Sequence, residues 1–143
     1  IIKEKKDNLL FFSSFMMFIS YFISDHFYEL FSHSTIYLTW FSFDVITFFF
    51  IISWFLYFKP NPSPGFIYVS IGLVINSCLF LAMYIDLGIL KTQNSWWLWD
   101  LYSAGVNIID FIMIIGLIIN KDYLGIIRFS KFITSPIRKK ALN

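Results

Sequence analysis

The sequence has little charge and few of the side chains that support covalent or metal chemistry. Charged residues make up only 14% of the chain, whereas soluble domains carry about 25%. Cys78 is the only cysteine, which excludes an intrachain disulfide and a cysteine-based zinc site. The sequence also has no phosphate-binding glycine loop, no nucleophile elbow and no HExxH pair. We therefore expect neither enzymatic activity nor a cofactor.

Apolar residues dominate what is present. Hydrophobic residues account for 58% of the 143 positions and aromatic residues for 22%, and the mean hydropathy is +0.71. A soluble fold of this size could not bury so much apolar surface. This composition excludes an ordinary soluble enzyme, a nucleic-acid-binding module and a disordered chain. It predicts an all-α, polytopic membrane protein that contacts the lipid bilayer and binds no nucleic acid directly.

Four apolar segments are long enough to cross a membrane, which takes about 20 mostly apolar residues. They cover about 9–24, 36–58, 66–85 and 96–119, and the first could extend to Phe31. The second and third are separated by a short stretch rich in proline, which cannot donate a backbone hydrogen bond within a helix. These two spans are therefore predicted to be antiparallel neighbours. Residues 1–120 form the predicted transmembrane domain, and residues 121–143 form a cytoplasmic tail.

The basic residues predict the orientation of these spans. Ten of the eleven Lys and Arg residues fall in the N-terminal arm, the second loop and the tail, and Lys91 alone falls on the other side. The positive-inside rule then places both termini in the cytoplasm. We expect the bacterial inner membrane, with the mitochondrial inner membrane as the alternative. Residues 1–25 have the basic start of a signal peptide but no cleavage site after it, which predicts a retained anchor.

Polar residues inside the fourth span form the strongest functional pattern. Asp100, Ser103, Asn107 and Asp110 lie three, four and three positions apart, so they fall within an arc of about 80° on a helix. A centrally placed Asp costs about 3 kcal/mol on insertion scales. Such residues either line a hydrated cavity or a proton or ion path, or form interhelical hydrogen bonds that hold the bundle together.

The second and third spans each contribute one further polar residue to this predicted intramembrane set. Asp44 lies in the second span and shares a face with Tyr37 and Trp40. Asn76 lies in the third span, and Gly72, one turn earlier, would let another backbone approach closely. No basic residue lies within the spans. The carboxyls must therefore be protonated, hydrated or paired across subunits, and we expect a homo-oligomer.

Aromatic and histidine residues near the span ends have two interpretations each. The spans have aromatic residues at both ends, which is typical of interfacial belts; a ligand-binding aromatic cage is the alternative. These residues are Trp96, Trp97 and Trp99 at one end and Trp54 and Tyr57 at the other.

In the first outer loop, the spacing of His26, Glu29 and His33 would place them on one helix face. Three ligands on one helix rarely chelate one ion, so we expect no metal site there. A solvated loop is favoured, with a pH-sensitive or partner-facing site as the alternative.

The tail is basic and predicted to lie on the inner membrane surface. Residues 123–133 form a predicted amphipathic helix, which Pro136 ends. Its basic residues would bind anionic lipid or a cytoplasmic protein partner. They are Arg128, Lys131, Arg138, Lys139 and Lys140.

The layout resembles the small four-span membrane subunits of bacterial anti-phage defence systems, such as the membrane component of Kiwa. The features that carry the resemblance are four spans over most of the chain, cytoplasmic termini and a basic tail after Asn120. The resemblance implies sensing of envelope perturbation at the inner membrane, with a cytoplasmic effector attached.

Three functional hypotheses are compatible with these patterns. The first is a homo-oligomeric membrane sensor or channel-like component that works with a cytoplasmic partner. The second is an accessory subunit of a larger membrane assembly, such as a respiratory complex. The third is a proton-coupled carrier that uses Asp44 and Asp110.

Overall fold

The protein is an all-helical bundle of four helices, seen in a computed structural model that describes residues 8–26, 35–125 and 128. Each helix is long and apolar enough to cross a membrane, so the predicted set of four helices of spanning length is confirmed. The helices are α1 (Asn8–His26), α2 (Ile36–Phe58), α3 (Pro64–Met83) and α4 (Trp97–Ile119).

The third apolar helix continues beyond its expected end. A π-helical segment, Tyr84–Ile89, follows α3 without a break, whereas the sequence predicts an end at Ile85. The apolar run of the third span is therefore 26 residues long. The π-helical turn is wider than an α-helical turn, and hydropathy carries no signal for that difference.

The helices run alternately up and down, so the bundle has two ends. The proximal end contains the start of α1, the connection 59–63 and the end of α4, where the Gly65 N–H donates to Asn120 Oδ1 at 3.0 Å. The distal end contains the end of α1, the start of α2 and the start of α4. Near it, the Phe80 ring lies 5.6 Å from the Trp40 ring and 5.9 Å from the Tyr102 ring.

Helix α3 is the centre of the bundle and packs against the other three helices. The buried apolar core consists mostly of α3 side chains and of side chains from the other helices that pack around the proximal half of α3. These residues are Leu9, Met17, Ile51, Phe66, Val69, Leu73 and Met113. The remaining helices turn large apolar side chains outward: Phe11, Tyr57 and Ile118 are 74%, 80% and 78% exposed. Such a surface suits lipid and not water.

Glycines bring α3 and α4 close together. A Cβ atom placed on Gly116 would lie 2.8 Å from the Cβ of Tyr68, which real side chains do not tolerate. At Gly72, where the sequence predicts a close backbone, the neighbour is the side chain of Met113. A glycine pattern identifies a close approach but does not tell whether backbone or side chain makes it.

The segment after α4 folds back onto the proximal end of α3. The Tyr123 ring stacks on the Tyr68 ring at 4.7 Å, and the Leu124 N–H donates to Tyr68 Oη at 2.8 Å. Residues 120–125 are not helical, although the sequence predicts a helix from Tyr123. The rest of the predicted tail helix lies outside the described residues, apart from Arg128. The described residues also do not include the predicted basic residues Lys131, Arg138, Lys139 and Lys140.

Candidate functional site

One polar side chain from each helix meets in the middle of the bundle. We call these four residues, Tyr21, Asp44, Asn76 and Asp110, the polar cluster. Asp110 Oδ1 accepts hydrogen bonds from Tyr21 Oη and from Asn76 Nδ2, both at 2.6 Å. The cluster therefore ties α1 and α3 to α4 through a single carboxyl oxygen.

Asp44 belongs to the same cluster but is differently placed. It is only 4% exposed, and it lines the same cavity as Asp110. Its Oδ2 atom has no hydrogen-bond partner among the residues that the structure describes. A buried carboxyl oxygen without a partner is costly, and this makes Asp44 the least satisfied polar group of the cluster.

A cavity of about 850 Å³ opens beside the polar cluster, in the distal half of the bundle. Its walls are largely aromatic, and Asp44 and Asp110 form part of its lining. Among the described residues, the lining contains acidic and amide side chains but no Lys or Arg. The aromatic lining residues are Phe18, Tyr21, Phe22, Trp40, Phe43, Phe80 and Tyr102, together with His26.

The structure separates the predicted stripe of α4 into two parts. Asp110 enters the polar cluster, and Asn107 lines the cavity while its side-chain amide donates to the Ser103 carbonyl at 2.6 Å. Asp100 and Ser103 lie exposed on the surface of α4 and do not reach the cluster. The helix period puts all four residues on one face of α4. Only the half of that face that carries Asn107 and Asp110 faces the cavity and the other helices.

Sequence reasoning missed Tyr21, which supplies one of the two hydrogen bonds to Asp110. It stands in a run rich in aromatic residues, next to Phe22 and three positions after Phe18. The available signal was chemical: a tyrosine hydroxyl inside a membrane span needs a partner, and Asp110 needed a donor.

A second missed residue, Asp86, organises the distal connection between α3 and α4. It is 3% exposed, and its carboxylate accepts a hydrogen bond from Thr92 Oγ1 at 2.8 Å. The indole N–H groups of Trp96 and Trp99 donate to its Oδ2 atom at 3.2 and 2.7 Å. Two of the three tryptophans predicted to form a membrane belt thus hold a carboxylate within the protein.

The predicted histidine and glutamate group is only partly described. His26 stacks on Phe22 with 4.2 Å between ring centroids, and its Nδ1 lies 3.2 Å from the Phe22 carbonyl oxygen. Glu29 and His33 lie outside the described residues. Within the described part of the chain, no three His, Cys, Asp or Glu side chains are grouped to hold a metal ion.

The chain matches no family model, no curated protein and no solved structure. Its function therefore has to be inferred from the chemistry of the polar cluster and the cavity. Three acidic side chains, Asp25, Asp44 and Asp110, line an aromatic cavity whose described lining contains one histidine, His26, and no Lys or Arg. One of the three, Asp44, has a buried oxygen without a partner among the described residues. Such an arrangement can hold a proton or a cation.

Proposed function

We propose that the chain is a non-enzymatic membrane sensor whose distal cavity binds a cation at Asp44 and Asp110. The observation that carries the proposal is the Asp44 Oδ2 atom, which is buried, beside the cavity and without a partner among the described residues. A buried carboxyl stays protonated unless its charge is paired. A bound cation would pair with the Asp44 carboxylate, in the cavity that Asp110 also lines.

The sensing step follows from the hydrogen bond that joins α1 to α4. Tyr21 donates to the same carboxyl, Asp110, that would face the cation. A cation that attracts Asp110 competes with Tyr21 for this oxygen, so binding would alter the contact between the two helices. Self-association and a cytoplasmic partner at the tail complete the proposal, in line with the resemblance to the phage-defence subunits.

A charge-selective chemical test checks the cation site without knowledge of the ligand. In a Cys78→Ser background, Asn107→Cys places a thiol on the cavity lining. A cationic methanethiosulfonate should modify it about tenfold faster than an anionic one of similar size, because clefts of one charge concentrate counter-ions. Adding Asp44→Asn should reduce that preference.

The matched control is Ile108→Cys, one residue further along α4, which is 56% exposed and does not line the cavity. It should show no such charge preference. Equal rates at Asn107→Cys for both reagents, or no reaction with either, would contradict a cation-binding cavity.

A proton-coupled carrier is the second candidate, because the carboxyls of Asp25, Asp44 and Asp110 line one cavity and intramembrane acids commonly relay protons. Proteoliposomes separate the two functions. Uptake of a bound cation driven by a pH gradient, and lost in Asp110→Asn, would favour the carrier. Retained binding without flux would favour the sensor.

A further inference from the structure

We infer that the cation bound by this cavity is an organic ammonium with apolar substituents, and not a metal ion. The inference rests on the proposed cation site and adds the chemical class of its ligand. Three observations carry it: the aromatic wall beside the two carboxyls, the small number of oxygen ligands, and the volume of the cavity.

The aromatic wall is continuous. The Trp40 ring lies 5.6 Å from the Phe80 ring, which in turn lies 5.9 Å from the Tyr102 ring. Tyr37, which does not line the cavity, supports this wall by packing edge-on against both Trp40 and Tyr102, at 5.6 and 5.5 Å. Aromatic faces attract cations, and quaternary ammonium groups are the ligands best known to bind between such rings.

The oxygen ligands are too few for an inorganic ion. Calcium takes six to eight oxygen ligands, and magnesium needs an octahedral set. Asp110 Oδ1 already accepts two hydrogen bonds. Among the described residues of the polar cluster, the buried oxygens without a partner are Asp44 Oδ2 and Asn76 Oδ1, which are fewer than such an ion needs. An ammonium with apolar substituents needs only one opposing charge, because its alkyl groups gain from contact with the aromatic wall.

The size of the cavity agrees with an organic ligand. Its volume of about 850 Å³ falls in the range of about 300–1,000 Å³ that is typical of small-molecule pockets. An inorganic ion would occupy a small fraction of this space and would leave the aromatic wall in contact with water.

The test is calorimetric titration of the purified full chain in detergent micelles with tetrapropylammonium, tetramethylammonium and potassium. Tetrapropylammonium should bind at least about fivefold more tightly than tetramethylammonium, and potassium should not compete. Asp44→Asn should abolish binding. Trp40→Leu should weaken it about fivefold or more.

The matched control is Trp54→Leu, because Trp54 stacks on Phe12 at 4.3 Å and does not line the cavity. Its affinity should equal that of the parent chain, which separates loss of the wall from loss of an aromatic side chain in general. Circular dichroism of each variant verifies that the helices are intact.

The outcomes separate this inference from the proposed function. If potassium competes as well as tetrapropylammonium, or Trp40→Leu binds like Trp54→Leu, the organic ligand is wrong and the cation site stands. If tetrapropylammonium does not bind while Asn107→Cys keeps its charge preference, the organic ligand is likewise wrong and the cation site stands. If no cation binds and that preference is also absent, both proposals fail.

Discussion

At the scale of single residues, Asn120 has two structural roles. Its backbone adopts a left-handed conformation, with φ of 47°, and its N–H donates to the Gly116 carbonyl at 2.9 Å, which ends α4. Its side-chain oxygen accepts the Gly65 N–H at the start of α3. The first N–H groups of a helix have no partner within the helix, so Asn120 caps a neighbouring helix while ending its own.

Substitution of Asn120 should separate these two roles. Asn120→Gly retains the left-handed backbone at low cost but removes the side-chain oxygen, so the free energy of unfolding should fall by about 1 kcal/mol. Asn120→Asp retains an oxygen acceptor and should lose less. Denaturant titration in micelles, followed by circular dichroism, measures the difference. Asn61→Gly, at an exposed position of the proximal connection, is the control. Equal stability of Asn120→Gly and Asn120→Asp would refute the side-chain cap.

At the scale of helices, the contact between α3 and α4 depends on Gly116. Tyr68 opposes it, is only 1% exposed, and is held by its hydrogen bonds to Asp122 and Leu124. An added methyl group at Gly116 meets the Tyr68 Cβ atom, which cannot move without the backbone of α3. The two helices would have to separate.

Gly116→Ala should therefore lower the free energy of unfolding by about 1–3 kcal/mol, as overpacking does in protein cores. Gly105→Ala is the matched control in the same helix. A Cβ atom there lies 3.1 Å from Leu79 Cδ1, the end of a flexible side chain, and the gain in helix propensity of about 1 kcal/mol opposes any clash. Thermal unfolding of both variants measures the contrast. A Gly116→Ala protein as stable as Gly105→Ala would contradict the close packing.

Hydropathy was sufficient to predict the four helices, since each apolar run is bounded by prolines or polar residues. It could not predict the π-helical segment Tyr84–Ile89, because a wider turn leaves the apolar composition unchanged. It also gave no reason to expect that Trp96 and Trp99 would turn toward Asp86. The prediction of interfacial tryptophans concerns depth along a helix, whereas hydrogen bonding depends on the fold of the connection.

At the scale of the whole molecule, the polar cluster was only partly predictable. Asp44, Asn76 and Asp110 stand out because each is polar within an apolar run. Which of them meet depends on how each helix is rotated about its axis, and this rotation is decided by packing. Asp100 shares a face with Asp110 on an isolated helix, yet it lies beyond the region where the helices converge. The sequence patterns identified the polar residues that are costly to bury, but not the residues that form hydrogen bonds with them.

The orientation in the membrane remains a prediction from the distribution of basic residues. In a Cys78→Ser background, Gln93→Cys places a thiol in the distal connection and Asn61→Cys places one in the proximal connection, both at exposed positions. A membrane-impermeant maleimide should label the distal thiol in intact cells and the proximal thiol only after permeabilisation. Labelling of Asn61→Cys in intact cells would reverse the topology.

The position of Asp110 in α4, after the other three described helices, has a consequence for how the protein is made. A ribosome synthesises Tyr21 and Asn76 well before α4, so both donors to Asp110 already exist when its carboxyl emerges. The helices α1 to α3 can thus present both donors to α4. Helix α4 is apolar enough to cross a membrane, and on insertion the cost of its acidic group, about 3 kcal/mol, would be offset by docking onto these two donors.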